Sequence, residues 1–164
     1  MFKSVVIIFL ASSLFVKNLH SFQGHCQFEE VYSNGEIQQG SLWYQEQNFR
    51  YEYENQNLFT IIKNNRNTYI INNHNKVYHL YDDPYNIITT LIEVFESKET
   101  DNFIYENEDL KIILEERQNS EFIKRIAVIS PNANFSIYLN DCISKKFPEK
   151  IFKHFPFVET NNVL

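Results

Sequence analysis

The chain has 164 residues and a formal net charge of −6, with 15 basic and 21 acidic residues, 16% aromatic side chains, three glycines and four prolines. This length fits one domain with a core of useful size. Scattered bases under a negative balance argue against a nucleic-acid binder, which needs clustered Lys and Arg on phosphates, and three glycines can hardly build a phosphate loop.

Met1-Phe2-Lys3 carries one positive charge and leads into an apolar run from Val5 to Val16, broken only by Ser12 and Ser13. The run is shorter than the roughly 20 residues of a spanning helix and matches the apolar centre of an export signal. It is apolar all round, unlike an ordinary buried helix with one greasy face. Residues 1–21 are therefore expected to be a signal peptide or, if uncleaved, an N-terminal apolar helix acting as an inner-membrane anchor. Residues 22–158 are expected to form the folded domain and 159–164 a flexible tail.

Gly24 to Tyr32 reads as a strand, and Asn34-Gly35 as a hairpin turn in which both residues tolerate positive φ. Ile37 to Gln45 then returns antiparallel. From Asn48 to Glu54, Phe49, Tyr51 and Tyr53 alternate with Arg50, Glu52 and Glu54, the period of a half-buried strand. Leu58 to Lys63, Thr68 to Ile71 and Lys76 to Tyr81 continue the pattern across Asn-rich turns, where Asn is expected to take left-handed backbone. After Asp82-Asp83-Pro84 the spacing of Ile87, Ile88, Leu91, Ile92 and Phe95 predicts one helix. Four more strands are expected at Phe103 to Glu106, Leu110 to Arg117, Phe122 to Ile129 and Asn134 to Leu139. A turn at Phe147-Pro148 and a last short strand around Lys150 to His154 end the series. So long a meander must curl, because a twisted sheet does not stay flat over many strands.

Neither metal nor catalytic chemistry is indicated. His20, His25, His74, His79 and His154 lack ligand spacing, and His25 and Cys26, adjacent on a strand, point to opposite faces. The acidic pairs Glu29-Glu30, Asp82-Asp83 and Glu115-Glu116 are expected to be solvated charge. The chain is therefore read as a non-enzyme without a cofactor. If it is exported, a disulfide between Cys26 and Cys142 is chemically allowed and would be worth about 3–5 kcal/mol; two buried free thiols are the alternative.

The ordered series Gly40-Ser41-Leu42-Trp43-Tyr44, then Phe49-Arg50-Tyr51-Glu52-Tyr53, then Asn64 to Ile71 and the helix from Pro84 to Ile92, resembles the periplasmic outer-membrane lipoprotein carrier family (LolA-type). The resemblance implies an α+β, mostly β fold: an unclosed antiparallel β-barrel with a helical lid over an apolar cavity. It implies a carrier that holds the acyl chains of lipoproteins in the periplasm and moves them from inner to outer membrane. The implied partners are acylated lipoproteins, the inner-membrane lipoprotein-releasing ABC transporter and an outer-membrane acceptor, with the carrier a monomer. Leu42, Tyr44, Phe49, Tyr51, Ile88, Leu91 and Ile92 would line the acyl-chain cavity. Where the family commonly has Arg-Pro before its Phe strand, an arginine that helps hold the lid shut, this chain has Glu46-Gln47. The alternative is an exported or signal-anchored envelope protein of the same fold that binds another lipid or plays a structural role.

Overall fold

The computed structural model describes residues 23–64, 67–81, 90–91, 104–116, 122–154 and 158–159. The N-terminal run at 1–21, the expected helix apart from Thr90 and Leu91, Asp82-Asp83, and the end of the chain from 160 lie outside the described residues. Thr90 and Leu91 are helical.

Ten antiparallel strands build the fold: β1 Gly24–Tyr32, β2 Ile37–Gln45, β3 Asn48–Tyr53, β4 Phe59–Asn64, β5 Asn67–Asn72, β6 Val77–Tyr81, β7 Ile104–Glu106, β8 Lys111–Glu116, β9 Ile123–Ile129 and β10 Asn134–Ser144. They form one mostly β sheet in the order β6-β5-β4-β3-β2-β1-β10-β9-β8-β7, extended at the β6 edge by β11 Val158–Glu159 running parallel to it. The sheet is not closed, since β11 and β7 end it. It is two meanders, β1–β6 and β7–β10, joined where the first strand pairs with the tenth.

Strand parity decides what is buried. In β1, Cys26, Phe28 and Glu30 are buried while His25, Gln27 and Glu29 are half-exposed. Register carries that parity across the sheet: Cys26 faces Leu42, Leu42 faces Tyr51 and Tyr51 faces Ile61 on one side; Phe28 faces Leu139, and Ile137 faces Ile126, on the other. These residues, with Ile112, Leu114 and Val128, form one core cluster on the inner face.

The β1–β10 seam holds the one irregularity that matters. His25 pairs with Ile143 while Gln27 pairs with Asn140, so β10 carries an extra residue opposite Cys26, and Asp141 takes a left-handed φ of 48°. Without that bulge Asp141 would face Cys26. With it Cys142 does, and the two sulphurs are bonded. Beyond the bulge Ile143 and Ser144 still pair with His25 and Gly24, so β10 runs on to Ser144 instead of ending at Leu139.

The turns use other residues than the sequence suggests. Left-handed backbone falls on Gly35, Glu46, Gln47, Lys76 and Asp141, and on no asparagine among the described residues. The asparagines act through their side chains: Asn34, Asn55, Asn72 and Asn107 each accept a backbone N–H two residues on, at 2.9–3.0 Å. Gly35 alone is left-handed in the first hairpin, where its N–H donates to the Tyr32 carbonyl. Glu46 and Gln47 form the two-residue turn between Gln45 and Asn48, both with positive φ.

The expected strand at Lys150 to His154 is instead a 3-10 turn, Glu149–Phe152, packed against β3 and β4. Pro148 precedes it, and the segment crosses the outer face of the sheet rather than joining it there. The Phe147 N–H donates to Gln45 Oε1 at 2.6 Å, Arg50 Nη1 to the Ile151 carbonyl at 3.0 Å and Asn64 Nδ2 to the Phe152 carbonyl at 3.2 Å. Phe152 is buried, as are Ile62 and Ile71 on the outer side of β4 and β5, and His154 stacks on Tyr69 at 4.1 Å. Only then does the chain reach β11.

Two stability measurements follow from this packing. A Cβ at Gly40, which pairs with Phe28, would collide with the Phe28 ring and the Glu52 carbonyl. Gly40→Ala is expected to cost about 1–3 kcal/mol, read as a lower urea midpoint. The disulfide closes a separation of 116 residues, and the double substitution of Cys26 and Cys142 by Ala is expected to cost about 2–5 kcal/mol in the same assay.

Candidate functional site

The residues that the sequence places at an acyl-chain cavity fall into two groups. Leu42, Tyr44, Phe49 and Tyr51 are buried together on the inner face of β2 and β3, where Leu42 pairs with Tyr51 and Tyr44 with Phe49. Leu91, half-buried, packs against the same cluster from the helix. Ile88 and Ile92 lie outside the described residues.

Aromatic rings dominate the centre of this face. Phe28 stacks on Tyr51 with centroids 3.9 Å apart, Phe49 lies parallel to Tyr51 at 6.1 Å, and Tyr53 meets Phe28, Tyr51 and Phe59 edge-on. Such pairs add to the stabilisation from area burial.

At the Phe28 end, the inner face carries a carboxylate. Glu30 is 3% exposed, which corrects its reading as solvated charge. Tyr51 donates to Oε1 at 2.6 Å, and Tyr53 and Tyr32 donate to Oε2 at 2.7 Å each. A buried carboxylate without hydrogen bonds would be costly, and three hydroxyls replace the water it has lost. The Glu115-Glu116 pair differs again, because Glu115 meets Arg125 Nη1 at 2.6 Å. Residue type made Glu30 look solvated, whereas the parity of β1, which also sends Cys26 and Phe28 inward, is the signal that finds it. Phe28 and Tyr53 are further inner-face residues absent from the sequence-based site.

The cluster is braced from the side. The Asn73 amide donates to the Tyr53 carbonyl at 3.1 Å, and its Oδ1 accepts the Thr60 hydroxyl at 2.7 Å, all three groups being buried. Tyr53 is thus held by its backbone as well as its ring.

On the outer face a cleft of about 370 Å³ is bounded by Ser41, Trp43, Glu52, Glu54, Asn73 and Lys76. Its walls are polar. The Trp43 ring has His25 at 4.8 Å and the Arg50 guanidinium at 5.7 Å, and Arg50 is bound in turn to Glu52 at 2.7 Å. This cleft is therefore unsuited to an alkyl chain, and the apolar surface that could hold one is on the other side of the sheet. Among the described residues, no group of three or more His, Cys, Asp or Glu could hold a metal ion.

No protein-family model matches the chain, and no curated protein matches it.

Burial, then the charge of Glu30, holds the Tyr51 and Tyr53 hydroxyls well above the usual tyrosine range, and burial with the Glu30 hydrogen bond does the same for Tyr32. In the unfolded chain these groups ionise near 10. Above that pH the folded protein keeps protons that the unfolded chain has lost. The stability they contribute is therefore complete below pH about 10 and declines as the pH rises further. Absorbance of the phenolate band should show three of the ten tyrosines ionising only as the protein unfolds. Tyr53→Phe is expected to flatten the fall of stability with pH on the alkaline side.

Proposed function

We propose that this protein is an exported carrier for acyl chains, taking acylated lipoproteins from an inner-membrane lipoprotein-releasing transporter to an outer-membrane acceptor. One observation carries the reading: an antiparallel sheet that does not close presents a largely apolar inner face, with a helical segment at Leu91 packed against it. A sheet left open at β7 can part from its cover without breaking its own ladder. The order of Gly40, Trp43, Phe49, Arg50 and Tyr51 supports the reading through its resemblance to the lipoprotein carrier family, and the disulfide accords with an oxidising compartment.

The energetics set the task. Removing an acyl chain from water gains about 0.8 kcal/mol per methylene, on the order of 10 kcal/mol for a long chain. A carrier must match much of this yet release its load. Side chains that close over the empty face, such as Leu91 on the core cluster, lower the net gain on loading and so make delivery feasible.

The stacking of Phe28 on Tyr51 at 3.9 Å favours a second reading, in which the same fold uses its inner face as a core and serves structurally at the envelope. Titration of the purified protein with a fluorescent fatty acyl probe separates the two. The carrier reading expects saturation at about one probe per chain and displacement by an acylated lipopeptide. It also expects loss of binding in Phe49→Glu with an unchanged far-ultraviolet spectrum. Absence of saturable binding by the native protein would leave the structural reading.

A further inference from the structure

The carboxylate on the inner face is more than a buried polar group that has found partners. Its three hydrogen bonds are unevenly shared, one on Oε1 and two on Oε2. A carboxylate has about four acceptor positions, so Oε1 keeps one. Each tyrosine has a single O–H, and all three are directed at Glu30, which leaves their oxygens able only to accept. What remains unused in this cluster is acceptor capacity. Among the described residues, no Lys, Arg or His forms an ion pair with Glu30, although buried carboxylates are ordinarily paired with a cation.

Position adds to composition. Glu30 sits two residues beyond Phe28 on the same face of β1, and Tyr53 lies across from Gly40, over which the Phe28 ring packs. Apolar residues Phe28, Leu42, Tyr44 and Phe49 run from the cluster along the face. A ligand lying on that face with its tail toward Phe49 would bring its head to Glu30.

We propose that Glu30, Tyr32, Tyr51 and Tyr53 form the head-group end of the ligand site and select acyl-bearing ligands whose head is a cationic hydrogen-bond donor, an ammonium, over those headed by a carboxylate or phosphate. The proposal rests on the carrier reading and names its ligand class. An ammonium places an N–H on the open position of Oε1 and supplies the missing positive charge. An anionic head meets a like charge and three oxygens with no proton to offer.

The test is displacement of a neutral fluorescent acyl probe by hexadecylammonium, hexadecanol and palmitate at neutral pH, each below its micelle concentration. In the native protein hexadecylammonium is expected to act at about tenfold lower concentration than palmitate, the size of one hydrogen bond to a charged group. Glu30→Gln, close in shape, is expected to bring the two to parity while hexadecanol binding persists. Parity in the native protein would overturn the proposal without any variant, as would a Glu30→Gln protein that keeps the tenfold ratio and loses only stability. Should Glu30→Gln fail to fold, Tyr53→Phe takes its place: it removes one donor from Oε2, adds an acceptor position, and is expected to widen the ammonium preference; an unchanged or narrowed ratio counts against the site. Displacement by none of the three ligands would instead overturn the carrier reading itself. Where the preference holds, an acylated lipopeptide compared with its N-acetylated form assigns its source. Weakening on acetylation points to a polypeptide amino terminus, and indifference to an amine-headed lipid.

Discussion

The pairing of β1 with β10 is the interaction on which the rest of the sheet depends. Each meander is local, built from hairpins whose strands are neighbours in sequence. Only the seam between Gly24–Tyr32 and Asn134–Ser144 brings the two ends of the domain together. It unites the apolar faces of both meanders into one surface, and it is also the place where loop closure costs the most chain entropy. The disulfide lies at this seam, and a one-residue bulge is what allows it, since regular pairing would present Asp141 to Cys26. Contacts of such separation form late and slowly, so a covalent link here constrains the unfolded chain where the constraint is largest.

The buried carboxylate acts on the same seam from the other direction. Shifting β1 by one residue against its neighbours would turn Glu30 toward solvent and bring Glu29 inward, away from the hydroxyls of Tyr51 and Tyr53. An apolar residue at position 30 would tolerate such alternatives better. Burying a charge is a poor route to stability, but the requirement for three particular donors makes the native register unlike its competitors. Register and core packing thus draw on one set of atoms.

Strand order along the chain was legible because alternation is strong wherever one face is buried. Phe49, Tyr51 and Tyr53 against Arg50, Glu52 and Glu54 leave little choice, and the strand limits agree to within a residue or two through the first meander. Reading failed where backbone conformation departed from residue preference. Glu46, Gln47 and Lys76 hold left-handed backbone that their side chains do not favour, while the asparagines that suit it bind neighbouring N–H groups instead. The sheet's neighbours were also hidden, because a list of antiparallel strands does not state that the first will lie beside the tenth. At the inner face, Leu42, Tyr44, Phe49 and Tyr51 were evident as apolar positions of one parity. Glu30 was missed because residue type was weighed above parity.

The C-terminal segment changes how this molecule can meet its neighbours. An open sheet exposes backbone donors and acceptors along its outermost strand, and a second copy could extend the ladder there. Val158 and Glu159 occupy that position beside Val77 and Tyr78 and run in the parallel sense, so the antiparallel partner that a free edge invites finds those sites taken. Held to the outer face by Phe152 and by the stacked ring of His154, this segment shields part of one edge, while among the described residues β7 leaves the opposite edge of the sheet uncovered.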